Sequence, residues 1–374
     1  MSGSQRLIDR KGTPTMRVAV AHEWLTNWAG SERVARELVN VGQAEQLFAS
    51  VVDRSFTAEY FPDVDVRALW TSRLPTATTR WSRLAIPMLA AWASTKIEAD
   101  VLLVSSHFAA HGATVRFDGP SIVYYHTPAR MLWRPDIELA RLPERTRTAV
   151  EKGVLPALRA WDRRVAQHPT VLLGNSTAVI ERIADAYGRK AEVLHPPVEV
   201  DRWSTVPRRE PEHFLWAGRL VAYKRPDIAV EAARISGEEL VIVGSGPERA
   251  RLEPTAPPNV RFVGHVSEDE LRDLMGAAHA LVFPGEEDFG IAPVEALAAG
   301  TPVVAYGAGG ALDFVEPDVN GVLCPEQDAA AFALAMKEAR KTEWDTERVR
   351  RSAERFTAER HRAGLRDVIG RTIG

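Results

Sequence analysis

Short apolar runs alternate with helical patterns along the first half of the chain. The helical segments SERVARELVNVG (31–42) and TAVIERIADAYG (177–188) carry apolar residues at helical spacing. The runs between and around them are RVAVAH (17–22), LFASVV (47–52), VLLVSS (101–106), SIVYYH (121–126) and TVLLGN (170–175). Apolar runs without polar alternation are typical of parallel strands buried on both faces. Strands separated by helices predict βαβ units.

The same alternation restarts after a break in the middle of the chain. Pro196-Pro197 cannot continue a strand or a helix, and the polar stretch 205–213 that follows has the character of a linker. The apolar runs beyond it are HFLWAGR (213–219), LVIVGSG (240–246), VRFVGH (260–265), ALVFPG (280–285) and PVVAYG (302–307). The pattern predicts two consecutive doubly wound α/β domains. Ligands of such folds bind in the cleft at the carboxyl ends of the strands.

The expected domain boundaries follow from this pattern. A disordered leader is predicted for 1–15 and a first Rossmann-like domain for 16–205. A second Rossmann-like domain is predicted for 206–345. The charged helical stretch 346–374 is predicted to pack back on the first domain.

Composition excludes several classes of protein. Among 374 residues, 47 Lys and Arg against 50 Asp and Glu leave a net charge of −3, which argues against a nucleic-acid binder. The N-terminus has no apolar segment of a secretory signal. Cys324 is the one cysteine, so neither an intramolecular disulfide nor a cysteine-based zinc site can form. The sequence predicts a cytoplasmic protein.

One apolar stretch leaves two interpretations open. LAIPMLAAWA (84–93) is about half the ~20 residues of a membrane span, and it contains a proline. A buried helix explains it. The neighbouring Trp and Arg side chains also suit a helix that inserts into one leaflet, which would give peripheral contact with the inner face of the membrane. These neighbours are Trp70, Arg73, Arg80, Trp81 and Arg83.

The most informative segment follows the predicted strand ALVFP and leads into a helix. Gly290 lies where the helix begins, so the amides of Phe289, Gly290 and Ile291 are candidate anion donors. Glu287 precedes the helix, and Glu295 lies about a turn inside it on a face that could reach a ribose. The segment resembles the E-x7-E motif of retaining GT-B glycosyltransferases of family 4, with Glu287 and Glu295 as its two glutamates.

A second segment agrees with the first. WAGRLVAYKR (216–225) is similar to the G-R-L-x-x-x-K element of the same family, whose Arg and Lys bind the diphosphate. The resemblance assigns that role to Arg219 and Lys224. A bidentate guanidinium and a compact ammonium both suit a leaving nucleoside diphosphate.

The resemblance also selects residues in the first half. The family has a glycine-rich loop after its first strand, and here Gly30 stands alone, with Ala29 where a second glycine is usual. Gly30 is therefore expected near the donor phosphate. His126 ends the strand SIVYYH, at the place of the histidine that contacts the donor sugar. Asp313 replaces a Glu that is usual in the family, which would alter contacts to sugar hydroxyls.

The resemblance implies a GT-B fold and the transfer of a hexosyl group from a nucleoside-diphosphate sugar to an acceptor hydroxyl. His126, Glu287, Arg219 and Lys224 are the expected catalytic residues. The segments around His126 and Glu287 look like those of bacterial GDP-mannose-dependent mannosyltransferases of polysaccharide assembly. The acceptor is a small molecule or a lipid-linked one. Arg219, Lys224 and a helix N-terminus supply positive charge, so no metal and no cofactor is expected.

Other activities stay open on the same scaffold. These are a nucleotide-sugar epimerase, a disaccharide phosphorylase and a non-catalytic nucleotide-sugar sensor. Four further patterns are interpreted as structural. Asp63-Val64-Asp65 resembles a metal motif but is interpreted as a strand edge. Ser176 is interpreted as a helix cap. His107 and His111 have the spacing of a zinc-protease pair but lack the Glu that such a motif needs. Gly244-Ser245-Gly246 is interpreted as a turn that lines the nucleotide site.

Overall fold

A computed structural model describes residues 16–74, 85–138 and 143–374. The described chain divides into two compact units. The first comprises the chain up to Asn175, together with Val179–Leu194 and Arg362–Gly374. The second comprises Ser176–Ala178 and His195–His361. Each unit is built on a parallel β-sheet with helices between successive strands, so the predicted α/β fold class is confirmed.

The first unit contains a seven-stranded sheet in the described residues. Its strands are β1 (Val18–Leu25), β2 (Gln46–Val52), β3 (Asp65–Ala68), β4 (Val101–Ser106), β5 (Ser121–Tyr125), β6 (Val171–Gly174) and β7 (Glu192–Val193). They lie in the order β3-β2-β1-β4-β5-β6-β7, and the paired strands run parallel. Its helices are α1 (Gly30–Gly42), α2 (Arg54–Tyr60), α3 (Ala85–Ser94), α4 (Arg130–Trp133), α5 (Pro135–Glu138), α6 (Glu144–Ala149), α7 (Leu155–Val165) and α8 (Thr177–Tyr187). The order changes direction between β1 and β4.

The second unit contains a six-stranded sheet in the described residues. Its strands are β8 (His213–Ala217), β9 (Leu240–Val243), β10 (Val260–Gly264), β11 (Ala278–Phe283), β12 (Val303–Tyr306) and β13 (Gly321–Cys324). They lie in the order β10-β9-β8-β11-β12-β13, all parallel. Its helices are α9 (Val200–Ser204), α10 (Pro226–Ser236), α11 (Arg249–Leu252), α12 (Glu268–Gly276), α13 (Ile291–Ala298), α14 (Ala311–Phe314), α15 (Ala329–Lys341) and α16 (Thr346–Ala353). Here the order changes direction between β8 and β11.

Burial on both faces explains the unbroken apolar runs. In β1, Val18 and Val20 pack into one hydrophobic cluster, while Ala19 and Ala21 pack into another. Successive side chains of a strand point to opposite faces, so each face of the sheet must be covered by helices. A strand with this burial has no reason to alternate polar and apolar residues.

The boundary between the units differs from the sequence prediction. It falls between Leu194 and His195, and not at 205. The intervening helix α9 buries Val200 and Trp203 in the core of the second unit, which holds this segment there. The polar stretch predicted as a linker is also fixed, because the Arg208 guanidinium donates hydrogen bonds to carbonyl oxygens and a threonine hydroxyl of the second unit.

The C-terminal stretch is divided between the two units. Helix α16 buries Val349 and Ala353 in the core of the second unit, so this unit continues past the predicted end at 345. The last helix, α17 (Ala358–Ile373), belongs to the first unit from Arg362 onwards. There the Arg362 guanidinium donates two hydrogen bonds, of 2.6 and 2.8 Å, to the Glu37 carboxylate.

The apolar stretch of the first unit forms a helix with one covered face. In α3, Met88, Leu89, Ala91 and Trp92 are buried in the core, whereas Ile86 is 64% exposed. The flanking Trp70 and Arg73 are also exposed, and Arg80, Trp81, Arg83 and Leu84 lie outside the described residues, as does the leader 1–15. Within the described ranges, none of the helices combines the length and apolar character needed to cross a bilayer.

Candidate active site

Two loops of the second unit meet where the strand order changes direction. Strands β8 and β11 are neighbours in the middle of the sheet, and each ends at the same edge. The loop after β8 carries Arg219 and Lys224, and the loop after β11 carries Glu287. In open α/β sheets, this switch point is the usual place of a ligand. The fold therefore brings the loop that carries Arg219 and Lys224 beside the loop of Glu287, which lies 63 residues after Lys224.

A direct ion pair joins the two loops. The Lys224 ammonium lies 2.6 Å from the Glu287 carboxylate, and the side chains are 21% and 15% exposed. Gly285 allows this approach, since a Cβ there would lie 2.9 Å from the Cα of Lys224. Arg219 is exposed, and its side chain makes no hydrogen bond or ion pair with any residue that the structure describes. The loops thus hold one cation in a pair and present a second to solvent.

Helix α13 starts directly after this loop. Gly290 precedes its first residue with φ +111°, a left-handed conformation that favours glycine. Phe289 is buried and packs edge-on against Phe314 and Phe356. This packing fixes the start of a helix whose first amides, including that of Ile291, have no partner within the helix.

Glu295 lies inside α13 and is 9% exposed. The sequence predicted that it lies on a helix face that could reach a ribose. Most of the neighbouring residues in the helix are fully buried, in keeping with the small side chains between Ala296 and Gly300. The structure thus gives Glu295 a largely buried setting within the helix.

Glycines let neighbouring loops pack backbone to backbone around this edge. Gly244, after β9, lies so near the loop after β8 that a Cβ would come within 1.9 Å of the Gly218 carbonyl oxygen. Gly309, after β12, would place a Cβ 2.4 Å from the carbonyl oxygen of Glu287. Both residues have positive φ, of +114° and +63°. The turn after β9 therefore supports the loop that carries Arg219. The sequence predicted that this turn lines the nucleotide site, and the structure adds this packing role.

Asp313 has protein partners in this structure. Its carboxylate accepts hydrogen bonds from the Thr177 amide at 2.8 Å and from His195 Nε2 at 3.0 Å, and its side chain is 5% exposed. Burial raises the pKa of this carboxyl, but the hydrogen bonds from His195 and Thr177 outweigh burial and hold the pKa below its ordinary value. The sequence marked Asp313 only as a departure from a family pattern, and its hydrogen bonds with His195 and Thr177 were missed.

In the first unit, three adjacent strands carry polar side chains in or just after their carboxyl-terminal halves. His22 lies in β1, Ser105 in β4, and His126 directly after β5. The Ser105 hydroxyl lies 3.0 Å from His22 Nδ1 and 2.8 Å from His126 Nε2. On its other side, His22 Nε2 lies 3.5 Å from a carboxylate oxygen of Glu32. A continuous hydrogen-bonded chain thus runs from Glu32 to His126.

Only the last member of this chain was predicted as a site residue. His22, Glu32 and Ser105 are nearly or fully buried, whereas His126 is half-buried. The signal available in the sequence was that neighbouring apolar runs end in polar residues. It does not say which ends meet, because that depends on strand order.

A buried carboxylate anchors the turn beside this chain. Oε1 of Glu23 accepts hydrogen bonds of 2.8 to 3.1 Å from the four backbone amides of 107–110. Burial raises the pKa of Glu23, but the nearby His107 and these amides outweigh burial and lower it. Burial also lowers the pKa of His107 to about 4, so this imidazole is neutral at pH 7. Both groups are structural elements of the turn.

Gly30 and the residues interpreted as structural have clear local settings. Gly30 is the first residue of α1, five residues after the end of β1 at Leu25. His111 pairs with Asp162 at 2.9 Å in the core, and Asp65 pairs with Arg67 in the edge strand β3. Within the part of the chain that the structure describes, no cluster of three His, Cys, Asp or Glu side chains is arranged to hold a metal ion.

Residues 198–356 match the family model of glycosyl transferases group 1. This range spans most of the second unit and contains Arg219, Lys224, Glu287 and Glu295.

Curated relatives carry several different glycosyltransferase names. The chain is 30% identical over 198 residues to a glycogen synthase of Mycobacterium tuberculosis, a match that covers 48% of this chain and 47% of the relative. It is 29% identical over 281 residues to a GDP-mannose-dependent alpha-(1-6)-phosphatidylinositol monomannoside mannosyltransferase of the same organism, covering 61% and 72%. The chain thus spans about half the length of the first of these relatives.

A solved structure extends the likeness to both units. The Anabaena protein HepE, in complex with UDP-glucose, matches with a TM-score of 0.68 at 16% identity. The match covers 95% of this chain and 100% of that one. The chain therefore has the two-domain GT-B fold of glycosyltransferase structures, as the sequence predicted.

Proposed function

We propose that this protein transfers a hexosyl group from a nucleoside-diphosphate sugar to an acceptor hydroxyl. The observation that carries the proposal is the meeting of Arg219, Lys224 and Glu287 at the switch point of the second sheet, within the range that matches glycosyl transferases group 1. Two cations beside a helix N-terminus suit a diphosphate, and a carboxylate beside them suits sugar hydroxyls.

The proposed chemistry is electrostatic. As the glycosidic bond to the diphosphate breaks, negative charge grows on the leaving oxygen. Lys224 and Arg219 stabilise that charge, together with the amides at the start of α13 from Phe289 to Ile291. Gly30 is proposed to lie near the donor phosphate, and Glu295 to hold the ribose. No metal is needed for the positive charge under this proposal.

The transfer is proposed to retain the configuration at the anomeric carbon. Double displacement would need a carboxylate nucleophile at the reacting carbon. Among the described residues of the first unit, Glu23 in β1 and Glu32 in the first turn of α1 are both buried and hydrogen-bonded within the protein. His126 is proposed to contact the sugar. The acceptor then attacks from the face that the diphosphate leaves, and the diphosphate takes the acceptor proton.

We propose GDP-mannose, or a closely related GDP-sugar, as the donor. Support comes from the segments around His126 and Glu287, which resemble bacterial mannosyltransferases, and from a relative named as GDP-mannose-dependent. Thermal-shift titration with GDP, UDP, ADP and dTDP tests the base, because a ligand at 100 times its Kd adds about 2.7 kcal/mol of stability. Stabilisation by UDP alone would reject the GDP proposal but preserve the reaction class.

Product analysis tests the reaction itself. Nucleoside diphosphate should be released from the donor only when an acceptor is present, and proton NMR of fresh product should show an α-linkage from an α-linked donor. Turnover of the donor without acceptor would indicate an epimerase. Release of sugar phosphate from a disaccharide would indicate a phosphorylase. Binding without any turnover would indicate a sensor. A β-anomer from an α-donor would contradict retention.

The proposed setting is the cytoplasm, with a small-molecule or lipid-linked acceptor. Exposed Ile86 in helix α3, with exposed Trp70 and Arg73 in the segment before it, supports peripheral contact with the membrane. Co-sedimentation with anionic and with neutral vesicles tests this contact. If the wild-type protein and the triple variant Trp70→Ser, Arg73→Ser, Ile86→Ser bind the vesicles equally, this contact is rejected.

A further inference from the structure

Arg225 lies where the loop after β8 meets helix α10. It follows Lys224 directly and has φ +53° and ψ +46°, a left-handed conformation. This conformation costs free energy in a residue that has a Cβ, and glycine is the usual choice for it. Such strain persists where the surrounding structure compensates for it, and it is concentrated near functional sites. An arginine at this position therefore indicates a role for its side chain that glycine could not fill.

The Arg225 guanidinium joins two segments of the second unit. Its Nε and Nη2 donate to the Asp227 carboxylate at 3.0 to 3.2 Å, within the first turn of α10. Its Nη1 donates at 3.2 Å to Oε1 of Gln327, which lies 102 residues later, in the loop between β13 and α15. Asp227 thus orients the guanidinium, and the remaining arm reaches another loop at the carboxyl edge of the sheet.

Gln327 connects Arg225 to the loop that carries Glu287. Its Nε2 donates at 2.9 Å to the carbonyl oxygen of Pro284, the residue directly after β11. The orientation of the amide is determined by its partners, since a guanidinium only donates and a carbonyl oxygen only accepts. A glutamine makes both contacts at once because its amide carries an acceptor and a donor, whereas an ionised glutamate has only acceptors.

We propose that Arg225 and Gln327 are positioning residues that hold the two loops of the candidate site together. They fix the backbone next to Lys224 relative to the first residue of the Glu287 loop. Gly285 lets the two backbones approach each other, but it has no side chain that could keep them there. In the proposed transfer, Lys224 must meet the diphosphate as charge develops on the leaving oxygen, so a small displacement would lower turnover. This consequence rests on the proposed function, whereas the connection between the loops does not.

Acetylation of Lys224 in the full-length protein, measured by mass spectrometry, tests the connection without any substrate. The Lys224 side chain is 21% exposed and covered by the Glu287 carboxylate, so it should react slowly relative to the exposed Lys337. Arg225→Gly removes the side-chain contacts but keeps the left-handed backbone, which glycine adopts readily. We expect Lys224 to react several-fold faster in this variant. Glu287→Gln removes the charge of the partner and gives the rate of an unpaired Lys224.

Gln327→Glu separates the two contacts of this residue. A glutamate still accepts from Arg225, but it cannot donate to the Pro284 carbonyl. We therefore expect Lys224 to react faster in this variant as well, although position 327 keeps its bond to Arg225. A wild-type rate of acetylation in Gln327→Glu would refute the connection to the second loop.

The matched control is Asp318→Gly. Asp318 is exposed and also left-handed, with φ +62°, and it precedes β13 at the opposite edge of the same sheet. This change relieves the same kind of strain away from the two loops, so Lys224 should react as in the wild type. A wild-type rate in Arg225→Gly, or an equal increase in Asp318→Gly, would overturn the proposal. So would a wild-type rate in Glu287→Gln, because Lys224 would then not be held in the pair.

Kinetics test the effect on the reaction. Arg225→Gly should lower kcat by up to about 10²-fold, the scale of a small misplacement at a reacting centre. The same change in a Lys224→Ala background should lower kcat little further, because the residue to be positioned is then absent. Equal losses in both backgrounds would mean that Arg225 acts only through stability and would overturn the positioning role. If the wild-type protein turns over no nucleotide sugar at all, the proposed function fails, and the acetylation rates still decide whether Arg225 and Gln327 hold the loops.

Discussion

The ion pair between Lys224 and Glu287 predicts an unusual combination of effects. A diphosphate that binds to Lys224 must compete with the Glu287 carboxylate, which lies 2.6 Å from the ammonium. Replacing Glu287 with Gln removes the competing charge without removing the side chain. We therefore expect Glu287→Gln to bind nucleoside diphosphate more tightly and, at the same time, to turn over more slowly.

The size of the gain follows from the burial of the pair. Both side chains are partly exposed, at 21% and 15%, so water screens the interaction, and about 1 kcal/mol is the appropriate scale. That energy corresponds to a Kd about five times lower. Turnover should fall by roughly 10²- to 10³-fold, the usual cost of losing one preorganised electrostatic contact.

Isothermal titration calorimetry with GDP and UDP measures the first effect, and initial rates measure the second. The tightening should shrink as salt rises, because salt screens the charges that compete. The matched control is Glu238→Gln, which removes a buried carboxylate paired with Arg340 in the same unit but away from these loops. Weaker diphosphate binding in Glu287→Gln than in wild type would show that Glu287 supports the diphosphate, and the reasoning would be wrong.

Three further predictions concern the second unit. Arg219→Ala and Lys224→Ala should each lower kcat by roughly 10²- to 10³-fold, and wild-type kcat/KM in either variant would remove that residue from the site. Activity should persist in excess EDTA; complete loss that Mg²⁺ or Mn²⁺ restores would contradict the charge assignment. The pKa of Asp313 is lowered in the folded state, so its contribution to stability is present above an ordinary pKa of about 4 and is lost as the pH falls through the lower folded pKa. Asp313→Asn should therefore unfold in less urea than wild type at pH 7, with a smaller difference near pH 3, and a constant difference would refute this account.

The fold class could be predicted from local pattern alone. A parallel strand that is buried on both faces appears in the sequence as an unbroken apolar run. The helix between two strands appears as apolar residues at helical spacing. The motif around Glu287 and Glu295 was equally visible, because its residues lie on one loop and the helix that follows. The predicted domain boundary at 205 was wrong because Val200 and Trp203, just before it, are buried in the core of the second unit. The sequence showed only the polar stretch that follows, and it does not show in which core the residues before that stretch are buried.

Contacts between distant parts of the chain were decided by the tertiary structure. Lys224 and Glu287 are 63 residues apart, and His22 and Ser105 are 83 apart. The sequence determined that each lies in the carboxyl-terminal half of a strand or follows one, which places it near one edge of a sheet. Strand order then selects which ends become neighbours, and that order depends on long-range packing of helices against both faces. The sequence alone thus determined the chemical groups at the edges of the two sheets, and the order of the strands decided which of those groups pair.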